Sequence, residues 1–286
     1  MRGLQGLNMS VSAFSVYLLI GASIAGLIGS LTGLGGGVLL VPMLVLIFHV
    51  NVRYAVGASL ISVIATSSGA AAAYLTEGYT NLRIGMFLQV AATAGALAGA
   101  IIAAYLHAAT IAIIFGLVLL YSCYMSFRRK EESEDSGPSD QLAVRLQMEA
   151  SYPDPPGWKP YRVYNVMGGF SLMLVAGTLS GLLGIGSGAV KVLAMDQLMR
   201  LPYKVSTTTS NFMIGITAAA SAGVYLLQGF IDPGLTMPVM LGVLLGAFTG
   251  AKLLMRVPTK PLRMFFCFII FIMAVEMIYS GLTGRL

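Results

Sequence analysis

Apolar, charge-free runs long enough to cross a bilayer recur along this chain, and they limit what it can fold into. Tyr54–Thr76, Ile84–Tyr105, Ala108–Met125 and Phe170–Ile185 contain no Asp, Glu, Lys or Arg. A helix rises about 1.5 Å per residue, so about 20 apolar residues cross the hydrocarbon layer. A helix on a soluble core would carry one polar face, and these runs carry none. Composition agrees: 57% of the 286 residues are hydrophobic and 10% are charged, with a mean hydropathy of +0.85. Soluble domains carry about 25% charged residues. The chain therefore reads as an all-α polytopic membrane protein whose first partner is the lipid bilayer.

The net charge of +6 does not point to nucleic acid, because most basic residues fall between the apolar runs, as the positive-inside bias requires. Cys123 and Cys267 lie in separate apolar segments and read as packing residues. His49 and His107 are the two histidines, no metal-ligand spacing occurs, and nothing calls for a cofactor. An intramembrane enzyme would need clustered His, Asp and Glu or a serine–base pair at mid-depth. The sequence offers neither, so an enzyme is not expected.

The chain is a duplication. A shift of 151 positions brings Ala25-Gly26 onto Ala176-Gly177 and Gly33-Leu34-Gly35-Gly36-Gly37 onto Gly184-Ile185-Gly186-Ser187-Gly188. The same shift matches Ser59 with Ser210, Thr66 with Thr217, Tyr74 with Tyr225, and Gly95/Gly99 with Gly246/Gly250. Ordered glycine blocks at one offset mark an internal repeat. The first apolar segment belongs to the repeat unit and is expected to stay in the mature protein.

Each unit reads as about five helical segments. The first repeat, 12–127, holds segments near 12–31, 38–48, 54–76, 84–106 and 109–127. The second, 166–283, holds segments near 166–183, 189–199, 206–229, 235–254 and 264–283. Between them, 128–165 is polar and proline-rich and reads as a solvent-exposed cytoplasmic linker, with room for a short helix over 141–149. Trp158–Tyr164 suits an interfacial anchor. The second segment of each unit is too short to span. Joined to the first it makes about 37 residues, or about 55 Å, which is too long for one crossing. A glycine-broken helical hairpin resolves both facts and gives each unit an odd number of crossings. Two units with odd crossings must be inverted repeats; the alternative, four crossings per unit and parallel repeats, would put Arg256, Lys260 and Arg263 outside. With the linker inside, Arg83, Arg200, Lys204, Arg256, Lys260 and Arg263 fall inside, whereas Arg2, Arg53 and both termini fall outside.

The glycine breaks are the first candidate site. Gly33, Gly35, Gly36 and Gly37, with Gly184, Gly186, Ser187 and Gly188, let a helix stop and restart. Irregular backbone persists at membrane depth only where it is packed in protein or lines a cavity. The half-helices that follow each break can turn free N–H groups toward a small anionic substrate. Ser59, Ser210 and Asn211 add hydroxyl and amide groups on the next span of each unit, although such residues also bond their own helix backbone. Lys191, in the first turn after the second break, is the sharpest single residue. A charge at mid-bilayer costs about 2.5–3.5 kcal/mol and asks for a counter-charge. Glu276 and Asp196 are the candidates for that partner or for a proton carrier. Gly95/Gly99 and Gly246/Gly250 sit in continuous spans and read as close-packing positions.

At Gly33-Leu-Gly-Gly-Gly37-Val-Leu-Leu-Val-Pro42, echoed by Gly184-Ile-Gly-Ser-Gly188, the chain resembles the sulfite exporter TauE/SafE family. The two-repeat layout with a polar central loop strengthens the resemblance, which covers nearly all of the chain outside 1–11 and 128–165. It implies a secondary transporter of a small sulfur-containing anion such as sulfite or an organosulfonate, often an exporter, in the prokaryotic inner membrane. The positions carried over are the two breaks. Ser187, Lys191 and Leu193 replace Gly36, Leu40 and Pro42, so the half-sites are not equivalent. The alternative is an anion channel or a structural membrane component. A homo-oligomer is compatible with the sequence, which does not specify one.

Overall fold

The computed structural model describes residues 11–32, 37–76, 79–127, 139–154, 157–254 and 259–284. The first repeat folds into α1 (Val11–Thr32), α2 (Gly37–Leu46), α3 (Val52–Thr76), α4 (Leu82–Tyr105) and α5 (Ala108–Phe127). The linker holds α6 (Gln141–Arg145), β1 (Ala150–Asp154) and β2 (Gly157–Tyr161). The second repeat folds into α7 (Val166–Leu183), α8 (Gly188–Leu193), α9 (Tyr203–Leu227), α10 (Pro233–Leu254) and α11 (Thr259–Thr283), with a π-helical turn, Ala194–Leu198, extending α8. Each expected segment is present, and most ends agree within a few residues. Among the described residues, Leu82–Tyr105, Val166–Leu183, Tyr203–Leu227 and Pro233–Gly250 are long and apolar enough to cross a membrane, alongside shorter apolar helices.

Local chemistry sets the helix ends. Asn81 caps α4 by accepting from Ile84 N, and Asn165 caps α7 by accepting from Gly168 N. Helix α7 stops at Gly184, whose φ of +67° suits glycine at a helix C-terminus.

Glycine also makes the closest helix contacts, and these recur at the duplication offset. A methyl group on Gly95 of α4 would lie 2.1 Å from Leu174 O of α7, and one on Gly246 of α10 would lie 1.9 Å from Ser23 O of α1. Likewise, Gly177 would meet Ala92 O at 2.1 Å, and Gly26 would meet Val243 O at 2.5 Å. Each contact is the other shifted by 151 positions with the halves exchanged. Small residues let these backbones touch, the usual basis of tight helix pairs in membranes. Along α4 and α7 the partners advance together, from Ala92 on Gly177 to Ala100 on Gly181, so those helices run parallel, as do α1 and α10. By contrast, Gly116 faces Ala274 and Ile278 while Gly281 faces Ala109 and Ile113, so α5 and α11 run antiparallel. Helices α3 and α9 are antiparallel too, with Gly57 on Phe230 and Ser67 on Gly215.

The turns gather into two groups. In one, Arg53 Nη2 donates to Leu106 O at 2.7 Å, and its guanidinium lies 5.3 Å from the Phe230 ring centroid. In the other, Lys204 Nζ lies 5.6 Å from the Tyr79 ring centroid, and Arg83 Nη1 donates to Gln147 O of the linker at 2.8 Å. Arg53–Phe230 becomes Lys204–Tyr79 under the same shift and exchange.

The linker departs from the expectation of a solvent-exposed connector with room for one short helix. Its helix is shorter than the segment allowed for it, and an antiparallel hairpin follows, from Ala150 opposite Tyr161 to Asp154 opposite Gly157. Pro153 and Pro160 are tolerated because both strands are edges with unpaired N–H positions. Ala143, Met148 and Val163 are buried with Ile84, Leu88, Met195 and Met199. Asn81 Nδ2 donates to Met148 O at 2.9 Å and to Tyr161 Oη at 2.7 Å. Burial raises the Tyr161 phenol above its ordinary pKa, against the lowering effect of the bond from Asn81. The linker is therefore a folded cap over α4, α7 and the end of α8, and Trp158 stands exposed on β2.

Candidate functional site

The second glycine break is described in full. Gly184, Gly186 and Ser187 all have left-handed backbone, with φ of +67°, +68° and +42°. That geometry costs little for glycine and about 1–3 kcal/mol for serine. Ser187 lies at the start of α8 without capping it, because its Oγ donates to Ala176 O of α7. Gly33, Gly35 and Gly36 of the first break fall outside the described residues, whereas Gly37 opens α2 and is buried. A methyl on Gly37 would sit 3.3 Å from Gly184 O, 3.1 Å from Ser59 Oγ and 2.8 Å from Val63. The restart of the first break thus lies against the stop of the second, beside the middle of α3.

Ser59 and Ser210 brace this junction. Ser59 Oγ donates to Gly184 O at 2.8 Å, and Ser210 Oγ is 3.4 Å from Gly188 O. Both hydroxyls are spent on carbonyls of the second break. Asn211, next on α9, is half-buried.

Lys191 is fully buried. Its Nζ donates to Thr217 Oγ1 of α9 at 2.7 Å, and among the described residues it has no ion-pair partner. Gln89 of α4 reaches the same oxygen: its Nε2 donates to Thr217 Oγ1 at 3.2 Å and to Thr93 Oγ1 at 2.7 Å. Thr217 passes its own proton to Met213 O at 2.8 Å, so its hydroxyl is fully engaged. Gln89 Oε1 is buried, with no hydrogen-bond partner among the described residues. Among the described residues, the cluster Lys191–Thr217–Gln89–Thr93 therefore joins α8, α9 and α4 around a buried lysine with no carboxylate beside it. Asp196 lies half-buried in the π-helical turn, and Glu276 is exposed on α11. Neither carboxylate pairs with Lys191.

Gln89, Thr93 and Thr217 were not among the expected site residues. Thr217 was visible as a repeat match to Thr66, and Gln89 was readable as a lone amide inside the apolar run Ile84–Tyr105. An amide at that depth needs partners, and that need was the available signal.

The cluster is not reproduced at the positions related to it by the 151-residue shift. Leu40, Met240 and Leu244 stand at the positions equivalent to Lys191, Gln89 and Thr93. Thr66, the mate of Thr217, bonds back onto its own helix at Ser62 O and Val63 O.

Comparison with known proteins agrees with a membrane transporter. Over 275 residues, 93% of this chain and 98% of the relative, it is 26% identical to the Bacillus subtilis "Probable membrane transporter protein YunE". It is 27% identical to the Bacillus subtilis "Probable membrane transporter protein YjnA" over 96% of this chain and 99% of that one. It is 22% identical to "Probable membrane transporter protein MJ0441" of Methanocaldococcus jannaschii over 91% and 94% of the two chains. No solved structure matches the chain. The sequence model of the family described as "Sulfite exporter TauE/SafE" matches residues 18–277. With that match covering most of its length, this chain belongs to the TauE/SafE family of membrane transporters and is not an enzyme.

Proposed function

We propose that the protein is a secondary transporter that exports a small sulfur-containing anion, sulfite or an organosulfonate, across the prokaryotic inner membrane. One observation carries this reading: Lys191 is fully buried, with a threonine hydroxyl as its hydrogen-bond partner and no carboxylate beside it among the described residues. A cation at mid-bilayer costs about 2.5–3.5 kcal/mol. An arriving anion offsets that cost, so substrate occupancy and the buried charge stabilise each other. The family name supplies the sulfur oxyanion, and the site supplies the sign of the charge.

The two repeats are taken as inverted. A two-fold axis that exchanges the members of an antiparallel helix pair lies perpendicular to them. The antiparallel pairs α5–α11 and α3–α9 support an axis in the membrane plane, as does the transfer of the Arg53–Phe230 contact to Lys204–Tyr79. Rocking of the repeats about the junction of the breaks would then expose Lys191 to each side in turn. The linker, Arg83, Arg200 and Lys204 are assigned to the cytoplasm, and both termini to the outside. Asp196 is the nearer candidate for proton coupling, and Glu276 on the outer face of α11 the more distant one.

The test is counterflow. Proteoliposomes loaded with unlabelled sulfite should accumulate labelled sulfite saturably, without net current, and Lys191→Met should abolish the accumulation. Unsaturable net current would favour an anion channel, and full counterflow in a folded Lys191→Met variant would sink the proposal.

A further inference from the structure

We infer that the ligand of this site is a singly charged oxyanion that also carries a hydrogen-bond donor, an –OH or –NH2, on its central atom, and that Gln89 selects for that donor. The inference rests on the anion reading of Lys191 and adds the second half of the ligand's chemistry.

The argument is one of hydrogen-bond satisfaction. Both N–H groups of Gln89 are used, on Thr93 and Thr217, which turns its carbonyl oxygen to the remaining side. That oxygen is buried and has no partner among the described residues. A buried acceptor left unmade is costly, so such groups are retained where something arrives to meet them. Lys191, when charged, has three N–H donors, of which Thr217 takes one. The site therefore offers two donors that call for negative oxygens and one acceptor that calls for a donor. A ligand bearing negative oxygens alone would satisfy Lys191 and leave Gln89 Oε1 stranded in a dry environment.

Distance narrows the class further. Lys191 Nζ and Gln89 Nε2 share Thr217 Oγ1, at 2.7 and 3.2 Å. With the width of an amide added, Nζ and Oε1 are at most roughly 8 Å apart. Two hydrogen bonds of about 2.8 Å leave little more than the separation of two atoms bonded to one centre. A ligand whose donor and charged oxygen share a central atom fits that gap, as in hydrogensulfite. A sulfonate with its donor at the end of a longer chain would have to fold back on itself.

Sulfamate and methanesulfonate make a matched pair for the test. Both are tetrahedral monoanions of similar size, and they differ by –NH2 against –CH3. Each would be measured as a competitor of labelled sulfite on the detergent-purified full chain. Sulfamate should compete about tenfold more strongly than methanesulfonate, since a site built around a hydrogen bond discriminates against a ligand lacking it. In Gln89→Met the ratio should collapse to about one through weaker sulfamate binding alone. In Gln89→Glu both competitors should be lost, because the new carboxylate occupies Lys191. Equal competition in the unaltered protein, or a preference that survives Gln89→Met, would overturn the inference while labelled-sulfite binding kept the anion reading intact. Absence of sulfite binding would overturn both. Should Gln89→Met fail to fold, the matched pair on the unaltered protein decides alone.

Discussion

The α4–α7–α8–α9 quarter and its repeat mate, α10–α1–α2–α3, share helix pairings and near-identical glycine contacts, yet they hold different contents. The first buries Lys191, Gln89 and Thr217, with Thr93 half-buried beside them, and is covered by the folded linker. The second presents Leu40, Met240 and Leu244 at the matching positions and opens beside an apolar recess of about 220 Å³ lined by Gly21, Ala25, Leu39, Met43 and Met273. The helix scaffold is shared, while Lys191 of one quarter stands where the other has Leu40. Backbone packing in the two halves constrains the sequence symmetrically, because each small residue is needed wherever two helices touch. On the proposed function, a buried cation carries a cost that one anionic substrate offsets at one place, and a second would have nothing to meet it.

The largest effect should come from forcing the quarters to match. Leu40→Lys places a cation in an apolar setting and should destabilise the protein by about 2.5–3.5 kcal/mol. Lys191→Leu should leave stability unchanged or raised, since it removes a buried charge. Unfolding in lipid nanodiscs reads both. Equal destabilisation by the two changes would mean that Lys191 is a structural element of its half.

Next come the glycines that make the halves alike. Gly95→Ala and Gly246→Ala both place a methyl about 2 Å from a carbonyl oxygen, so each should cost about 1–3 kcal/mol by forcing the helices apart. The two losses should agree with each other in thermal unfolding. A large difference would break the equivalence of the α4–α7 and α10–α1 contacts.

Much of this was legible in the sequence, for a physical reason. Hydrocarbon demands long apolar helices, so segment number and boundaries follow from charge-free runs, and close packing demands small residues, so the repeat survives as glycine spacing. Lys191 was legible because a lone charge at that depth stands out. Gln89 was harder to assign, because its role depends on reaching Thr217 across 128 positions of sequence. The serines illustrate the converse. Ser59 and Ser210 were expected at the substrate, whereas their hydroxyls brace Gly184 and Gly188, a use that residue type alone does not distinguish. The hairpin of the linker was missed because a short, proline-containing strand pair has no apolar period to announce it.

The smallest expected effect concerns the two cation–aromatic contacts. Arg53→Ala and Lys204→Ala should each cost about 0.5–1 kcal/mol of stability. Arg53 should cost the more, since it also donates to Leu106 O. Thermal unfolding at matched ionic strength measures both, and an equal loss would mean that the bond to Leu106 contributes nothing.

The central claim is that a duplicated scaffold carries one anion site, built on Lys191. Equilibrium binding of labelled sulfite to the purified chain, with stoichiometry, tests it most directly in the unaltered protein, Lys191→Met and Leu40→Met. The account predicts one site per chain, lost in Lys191→Met and unchanged in Leu40→Met. Two sites per chain, or binding that persists without Lys191, would contradict it.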